Sequence, residues 1–117
     1  MTPVPHKPPE SGPRAPTYLD VPPEALRTLP AGTRWIDVRE PVEFDGPLGH
    51  LPGSELIPIA GIEAAAVSWD REIPLLLICR SGARSGRAAI ALHQMGFKHL
   101  YNLAGGMVAV RMAGVDS

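Results

Sequence analysis

The most informative segment of the chain reads IPLLLICRSGARSGR and runs from Ile73 to Arg87. Its first part is apolar apart from one proline, and it ends at Cys79, the only cysteine of the chain. A short loop with glycine and arginine follows, and the pattern after that loop predicts a helix. The segment therefore predicts a thiol at the junction of a strand and a helix N-terminus, where inward amides can stabilise an anion.

Short apolar segments and helical patterns alternate on both sides of this junction. Such alternation predicts an α/β fold with a mainly parallel, five-stranded central sheet and helices on both faces. The most apolar strand, 75–78, is expected at its centre. The predicted strands are 18–19, 34–38, 55–57, 75–78 and 99–102, and the predicted helices are 20–29, 40–44, 62–67, 85–95 and 107–112.

The length and composition of the chain indicate one domain. A chain of 117 residues suits a single core. Residues 17–117 are predicted to form that domain, whereas the proline-rich residues 1–16 are predicted to be a disordered tail. The N-terminus is not apolar, so no secretory signal is expected, and no apolar stretch is long enough to span a bilayer.

Charge and cysteine content exclude several classes of function. With 11 basic and 12 acidic residues the net charge is −1, which gives no electrostatic reason to expect binding to nucleic acid or to an anionic membrane. One cysteine excludes an internal disulfide framework and a multi-thiolate zinc site, and the four histidines lack metal-ligand spacing. A single free thiol suits a reducing compartment, so a cytoplasmic location is expected.

A lone cysteine is more often a small buried hydrophobic residue than a reactive one. Cys79, however, ends a strand, precedes Gly82 in a turn, and faces a predicted helix N-terminus. These surroundings lower the pKa of a thiol, and Arg80 and Arg84 would add positive charge. Asp37 and Arg39 lie at the end of a second predicted strand, so they are expected at the same edge of the sheet, where they would support the site.

Several motifs, taken together and in order, resemble the signatures of single-domain rhodaneses, which are thiosulfate sulfurtransferases. The similarity covers about residues 17–113, nearly all of the chain except the tail. Five motifs in the right order are far more specific than any one of them. The motifs are DVRE at 37–40, HLPG at 50–53, CRSGARS at 79–85, GF at 96–97 and YNLAGG at 101–106.

The resemblance implies sulfur transfer through a persulfide on Cys79, the catalytic nucleophile. It implies small sulfur-containing anions such as thiosulfate as donors, thiols or cyanide as acceptors, a possible protein acceptor, and no cofactor or metal. The loop would hold the terminal sulfur, and Arg80 and Arg84 would attract the anionic donor. The implied substrate-binding loop consists of Arg80, Ser81, Gly82, Ala83, Arg84 and Ser85.

Two other functions stay open at the level of sequence. A sulfur-carrier or partner-binding module with little turnover would use the same cysteine. A phosphatase is a weaker alternative, because related dual-specificity phosphatases have one more residue between cysteine and arginine than the six-residue loop Cys79 to Arg84. A phosphatase would also require a general acid, and none is evident.

Four further residues and one segment carry expectations of lesser weight. Arg39 could pair with Glu43, four residues later on a helix. His50 is expected to be structural rather than a general base. Val110 stands where these domains commonly carry a tryptophan, and the run 45–49 is longer than usual and is expected near the rim of the site.

Overall fold

The structure is a computed structural model, and it describes residues 17–114. The predicted tail, 1–16, and residues 115–117 lie outside the described residues. None of the helices within 17–114 is long and apolar enough to cross a membrane. The strands are β1 (Leu19–Val21), β2 (Arg34–Asp37), β3 (Glu55–Leu56), β4 (Leu75–Ile78) and β5 (Leu100–Leu103), and the α-helices are α1 (Pro41–Phe44), α2 (Ile62–Ala66), α3 (Ala83–Gln94) and α4 (Gly106–Ala113).

All five strands form one parallel sheet in the order β1-β5-β4-β2-β3. The predicted fold class and the central place of β4 are therefore confirmed. Every residue of β4 is buried, as expected for a strand that is covered on both faces. Because the strands run parallel, the carboxyl ends of β2 and β4 lie side by side, and the segments that follow them meet at one edge.

The two faces of the sheet bury separate apolar clusters, and the alternation of side chains along β4 supplies both. Leu75 and Leu77 belong to the cluster beneath α2 and α3, together with Cys79. Leu76 and Ile78 belong to the cluster beneath α4 on the opposite face. The period of two along a strand thus directs the thiol of Cys79 to the α3 face.

The prediction was wrong about the residues that follow Leu19. Asp20 and Val21 were expected to begin a helix, but they extend β1 and pair with Asn102 and Leu103 of β5. Val21 precedes a proline, and a residue in that position disfavours helical dihedrals. The helix that follows is a short 3₁₀ helix, Pro23–Thr28.

The helices around the site also differ in detail from the prediction. α3 begins at Ala83, two residues earlier than expected, because Gly82 turns the chain with a φ of 103°. Arg84 therefore lies in the first turn of a helix rather than in the loop. Helix α4 is present and Val110 is fully buried in it, so the smaller residue is accommodated in the core.

Candidate active site

Cys79 follows the last residue of β4 and is 1% exposed. Its sulfur accepts a hydrogen bond from the backbone N–H of Gly82, at 3.0 Å. The hydroxyl oxygen of Ser85 lies 3.2 Å from the same sulfur. The loop thus folds back over the strand end and directs donors at the thiol, which is the arrangement needed to hold an anion.

The pKa of the Cys79 thiol reflects two opposing effects. Burial raises this pKa, and it is the largest single cause. Hydrogen bonds from the Ser85 hydroxyl and from the backbone amides of Ser85, Gly82 and Ser81 lower it, and together they outweigh burial. The pKa of Cys79 consequently lies below its ordinary value, which favours the nucleophilic thiolate.

Helix α4 supports the loop from behind. The backbone N–H of Met107 donates to the carbonyl oxygen of Cys79 at 2.9 Å, and that of Val108 donates to the carbonyl of Arg80 at 3.0 Å. Gly106 makes this approach possible, because a Cβ there would lie 2.4 Å from the Arg80 carbonyl group. The Gly105-Gly106 pair is therefore a close-packing element of the site and more than an entry into the last helix.

A chain of polar side chains links the loop to the edge of the sheet. Ser85 donates to Oδ1 of Asn102 on β5 in a short hydrogen bond. The side-chain amide of Asn102 donates to the Gly82 carbonyl at 3.2 Å and to Asp20 on β1 at 3.0 Å. In the sequence, Asn102 is recognisable only as part of a motif and Asp20 is predicted to lie in a helix, so neither is identified there as a support of the loop.

Arg84 has a partner that the sequence did not indicate. Its guanidinium makes two hydrogen bonds to the carboxylate of Glu43 on α1, at 2.7 and 2.9 Å. The hydrogen bonds from Arg84 hold the pKa of the Glu43 carboxyl below its usual value. Glu43 is thus ionised at neutral pH and compensates the charge of the arginine that closes the loop.

Arg39 pairs with Asp37 and not with the side chain of Glu43, so the expected i, i+4 pair was wrong. The pair is fully buried: its members are 1% and 0% exposed and 2.8 Å apart. Arg39 also donates to the carbonyl oxygens of Glu43 and Gly49. It therefore joins the end of β2 to α1 and to the loop that follows α1, because the several N–H donors of its guanidinium reach carbonyls of both.

A pocket opens beside the cysteine loop. Pro47 and Leu48 line it together with Arg39, Glu43 and Arg80. The run 45–49 thus lies at the rim of this pocket, as expected. His50 stacks on Phe44 with ring centroids 3.6 Å apart, and its Nδ1 lies 2.9 Å from the Phe44 carbonyl oxygen. These contacts are those of a residue that supports the loop.

No cluster of three or more histidine, cysteine or acidic side chains suitable for a metal occurs within residues 17–114. The chemistry visible in this part of the chain is that of one thiol among amides, a hydroxyl and arginines. Such a site can form and break bonds to sulfur by nucleophilic attack. A parallel α/β sheet with a cysteine at the junction of its central strand and a helix, surrounded by amide and hydroxyl donors, defines the structural class of the protein.

Within that class, the chain belongs to the rhodanese-like domain family, whose model matches residues 22–113. It is 33% identical over 91 residues to the thiosulfate sulfurtransferase GlpE of Pseudomonas aeruginosa, a match that covers 77% of this chain and 81% of that one. It is 42% identical over 71 residues to the uncharacterized protein YqhL of Bacillus subtilis. That second match covers 61% of this chain and 55% of the length of YqhL.

Solved structures agree on the fold. A rhodanese-related protein of Thermoplasma volcanium superposes with a TM-score of 0.72 at 27% identity, over 83% of this chain and 94% of that one. A rhodanese-like domain protein of Staphylococcus aureus gives a TM-score of 0.68 at 24% identity, over 78% and 89% of the two chains. The family resemblance inferred from the motifs is confirmed.

Proposed function

We propose that this protein is a sulfurtransferase that carries a sulfane sulfur as a persulfide on Cys79. The observation that carries the proposal is the buried Cys79 sulfur, which faces the Gly82 amide and the Ser85 hydroxyl. The GlpE relative, named a thiosulfate sulfurtransferase, supports the same reaction class. Thiosulfate is the proposed donor for assay, and a thiol or cyanide is the proposed acceptor.

In the first step the Cys79 thiolate attacks the outer sulfur of the donor. The bond between the two donor sulfurs breaks, its electron pair leaves on sulfite, and a new S–S bond forms on Cys79. A cysteine thiolate and thiosulfate thus become a persulfide anion and sulfite, with the total charge unchanged. In the second step an acceptor thiolate or cyanide takes the outer sulfur and releases the Cys79 thiolate, which gives ping-pong kinetics.

The loop residues are proposed to act in three ways. The amides of Ser81, Gly82 and Ser85 stabilise the attacking thiolate and then the terminal persulfide sulfur. The exposed guanidinium of Arg80 attracts the anionic donor. Arg84, Ala83 and the Asp37–Arg39 pair hold the loop and its edge in shape rather than react.

The decisive experiment is intact-protein and peptide mass spectrometry after incubation with thiosulfate. The peptide that contains Cys79 should gain one sulfur, about 32 Da, and lose it again when cyanide is added. Cys79→Ala is the matched control and should gain nothing. An absent adduct, or an equal adduct in the Cys79→Ala variant, would refute the proposed function.

The same samples separate the remaining alternatives. A persulfide that forms but passes its sulfur neither to cyanide nor to small thiols would indicate a carrier or partner-binding module. Hydrolysis of an aryl phosphate that is lost in Cys79→Ala would indicate a phosphatase instead.

A further inference from the structure

The positive charges around the cysteine loop are not equivalent. Arg39 is buried against Asp37, and Arg84 is bound through both terminal nitrogens to Glu43. Within residues 17–114, the side chain of Arg80 forms no hydrogen bond or ion pair, and it is exposed. A donor that enters the pocket beside the loop therefore meets the uncompensated guanidinium of Arg80, in addition to the backbone amides.

Glu43 brings a negative charge to the same place. Its carboxylate lines the pocket beside the loop together with Arg80, and its side chain is 27% exposed. Arg84 donates one hydrogen bond to each oxygen of this carboxylate, at 2.7 and 2.9 Å, and the two bonds hold the carboxylate in one position. Partial burial weakens the screening of this charge by solvent.

These charges have different consequences for donors of different charge. Thiosulfate carries two negative charges, whereas an organic thiosulfonate or persulfide carries one. Repulsion from a fixed carboxylate scales with the charge of the donor, so Glu43 opposes the dianion more than the monoanion. The arginine that would otherwise attract a dianion is already compensated.

We propose that Glu43 is a specificity-determining residue that biases this site against dianionic sulfur donors and toward singly charged ones. The inference rests on the proposed function, because it concerns the donor for the Cys79 persulfide. Persulfide formation with a thiosulfonate donor follows the same course as with thiosulfate. The Cys79 thiolate takes the outer sulfur, the S–S bond of the donor breaks, and its electron pair leaves on the sulfinate.

The chain offers a matched control for the test. Glu40 precedes α1 and is exposed. The pKa of Arg84 is raised first by its hydrogen bonds to Glu43, and Glu40 contributes only a weaker electrostatic effect. Glu40→Gln therefore removes a nearby charge without breaking a contact of Arg84, whereas Glu43→Gln removes the paired charge and keeps an oxygen that can accept from Arg84.

The experiment measures the rate of Cys79 persulfide formation by quenched mass spectrometry, with thiosulfate and with benzenethiosulfonate as donors. In Glu43→Gln the rate with thiosulfate should rise by roughly threefold to tenfold, and the rate with benzenethiosulfonate by roughly twofold to threefold, because the electrostatic effect scales with the charge of the donor. The ratio of the two rates should approach that of the native protein as salt is added. Glu40→Gln should change neither rate by more than about twofold.

The outcomes distinguish this inference from the function on which it rests. Equal changes with both donors in Glu43→Gln, no change with either, or a ratio that is insensitive to salt would overturn the role of Glu43 and leave the persulfide intact. An adduct from neither donor in the native protein would overturn the proposed function and this inference together.

Discussion

At the scale of single residues, the hydroxyl of Ser85 makes the largest of the contributions that lower the pKa of the Cys79 thiol. Its one proton can be donated to the Cys79 sulfur or to Oδ1 of Asn102, and the structure places both acceptors within reach. Bonding to Asn102 suits the neutral thiol, whose own proton can then be donated to Ser85. Bonding to sulfur suits the thiolate. Ser85 can thus donate to Asn102 when Cys79 is a neutral thiol and to the Cys79 sulfur when Cys79 is a thiolate.

This arrangement predicts a pH effect for Ser85→Ala. Loss of the hydroxyl removes a contact that lowers the pKa of Cys79, while burial, which raises that pKa, remains. The pKa should therefore rise, and alkylation of Cys79 by iodoacetamide at neutral pH should become several-fold slower. The measurement is the alkylation rate as a function of pH, in which the midpoint should move to higher pH.

Ser81→Ala is the control for that profile. Ser81 acts on the thiol through its backbone amide, which alanine keeps, and its side chain is exposed. Its profile should match that of the native protein. If Ser85→Ala also matched the native profile, the hydroxyl would have no part in stabilising the thiolate.

At the scale of elements, the site is made by three segments that meet: the end of β4, the start of α3 and the start of α4. The N-terminal amides of α4 bind the carbonyls of Cys79 and Arg80, so the back of the loop is held by a helix that follows it by more than 20 residues in sequence. The approach is close because Gly106 has no side chain and a φ of 60°.

Gly106→Ala should therefore destabilise the domain by about 2–4 kcal/mol, from the combined cost of overpacking and of a positive φ. The added Cβ would lie 2.4 Å from the Arg80 carbonyl. This steric clash can be relieved only if the loop moves away from α4. Urea unfolding followed by circular dichroism measures the change.

Gly32→Ala separates the two costs. Gly32 also has a positive φ, of 85°, but a Cβ there meets no atom within 4 Å. The free energy of unfolding of Gly32→Ala should fall by only about 1–2 kcal/mol, from backbone strain alone. Equal losses in the two variants would show that the contact between α4 and the loop contributes nothing of its own.

At the scale of the whole molecule, the Asp37–Arg39 pair joins the sheet to the pocket wall. Asp37 ends β2, next to β4, and Arg39 extends from it to the carbonyls of Glu43 and Gly49. Both side chains are buried and hydrogen-bonded. The pair is costly to break, because either charge alone would be left without compensation in the interior.

Arg39→Met should accordingly reduce the free energy of unfolding by about 3–5 kcal/mol, since it leaves the Asp37 carboxylate buried without its partner. Lys98→Met is the comparison. It breaks the ion pair with Glu72, in which the two side chains are 64% and 60% exposed, and it should change the free energy of unfolding far less than Arg39→Met does. Similar losses in denaturant unfolding of the two variants would contradict the role assigned to the buried pair.

Much of the fold could be predicted because its signals are local. The apolar run of β4, the glycine after Cys79 and the helical period of α3 are adjacent in sequence, and each is sufficient to define its element. Asp20 was mispredicted because its strand is determined by pairing with β5, more than 80 residues away. A pattern within ten residues contains no information about such a neighbour.

The sequence by itself determined where the single cysteine lies, the loop that surrounds it and the parallel sheet that carries it, since all three follow from short-range patterns of apolar residues, glycines and that cysteine. Only the tertiary structure decided which groups meet there: Glu43 on Arg84, Asn102 on Ser85 and the amides of α4 behind the loop. The physical reason is that hydrogen bonds and ion pairs depend on distances of about 3 Å, which the packing of the helices on the sheet sets.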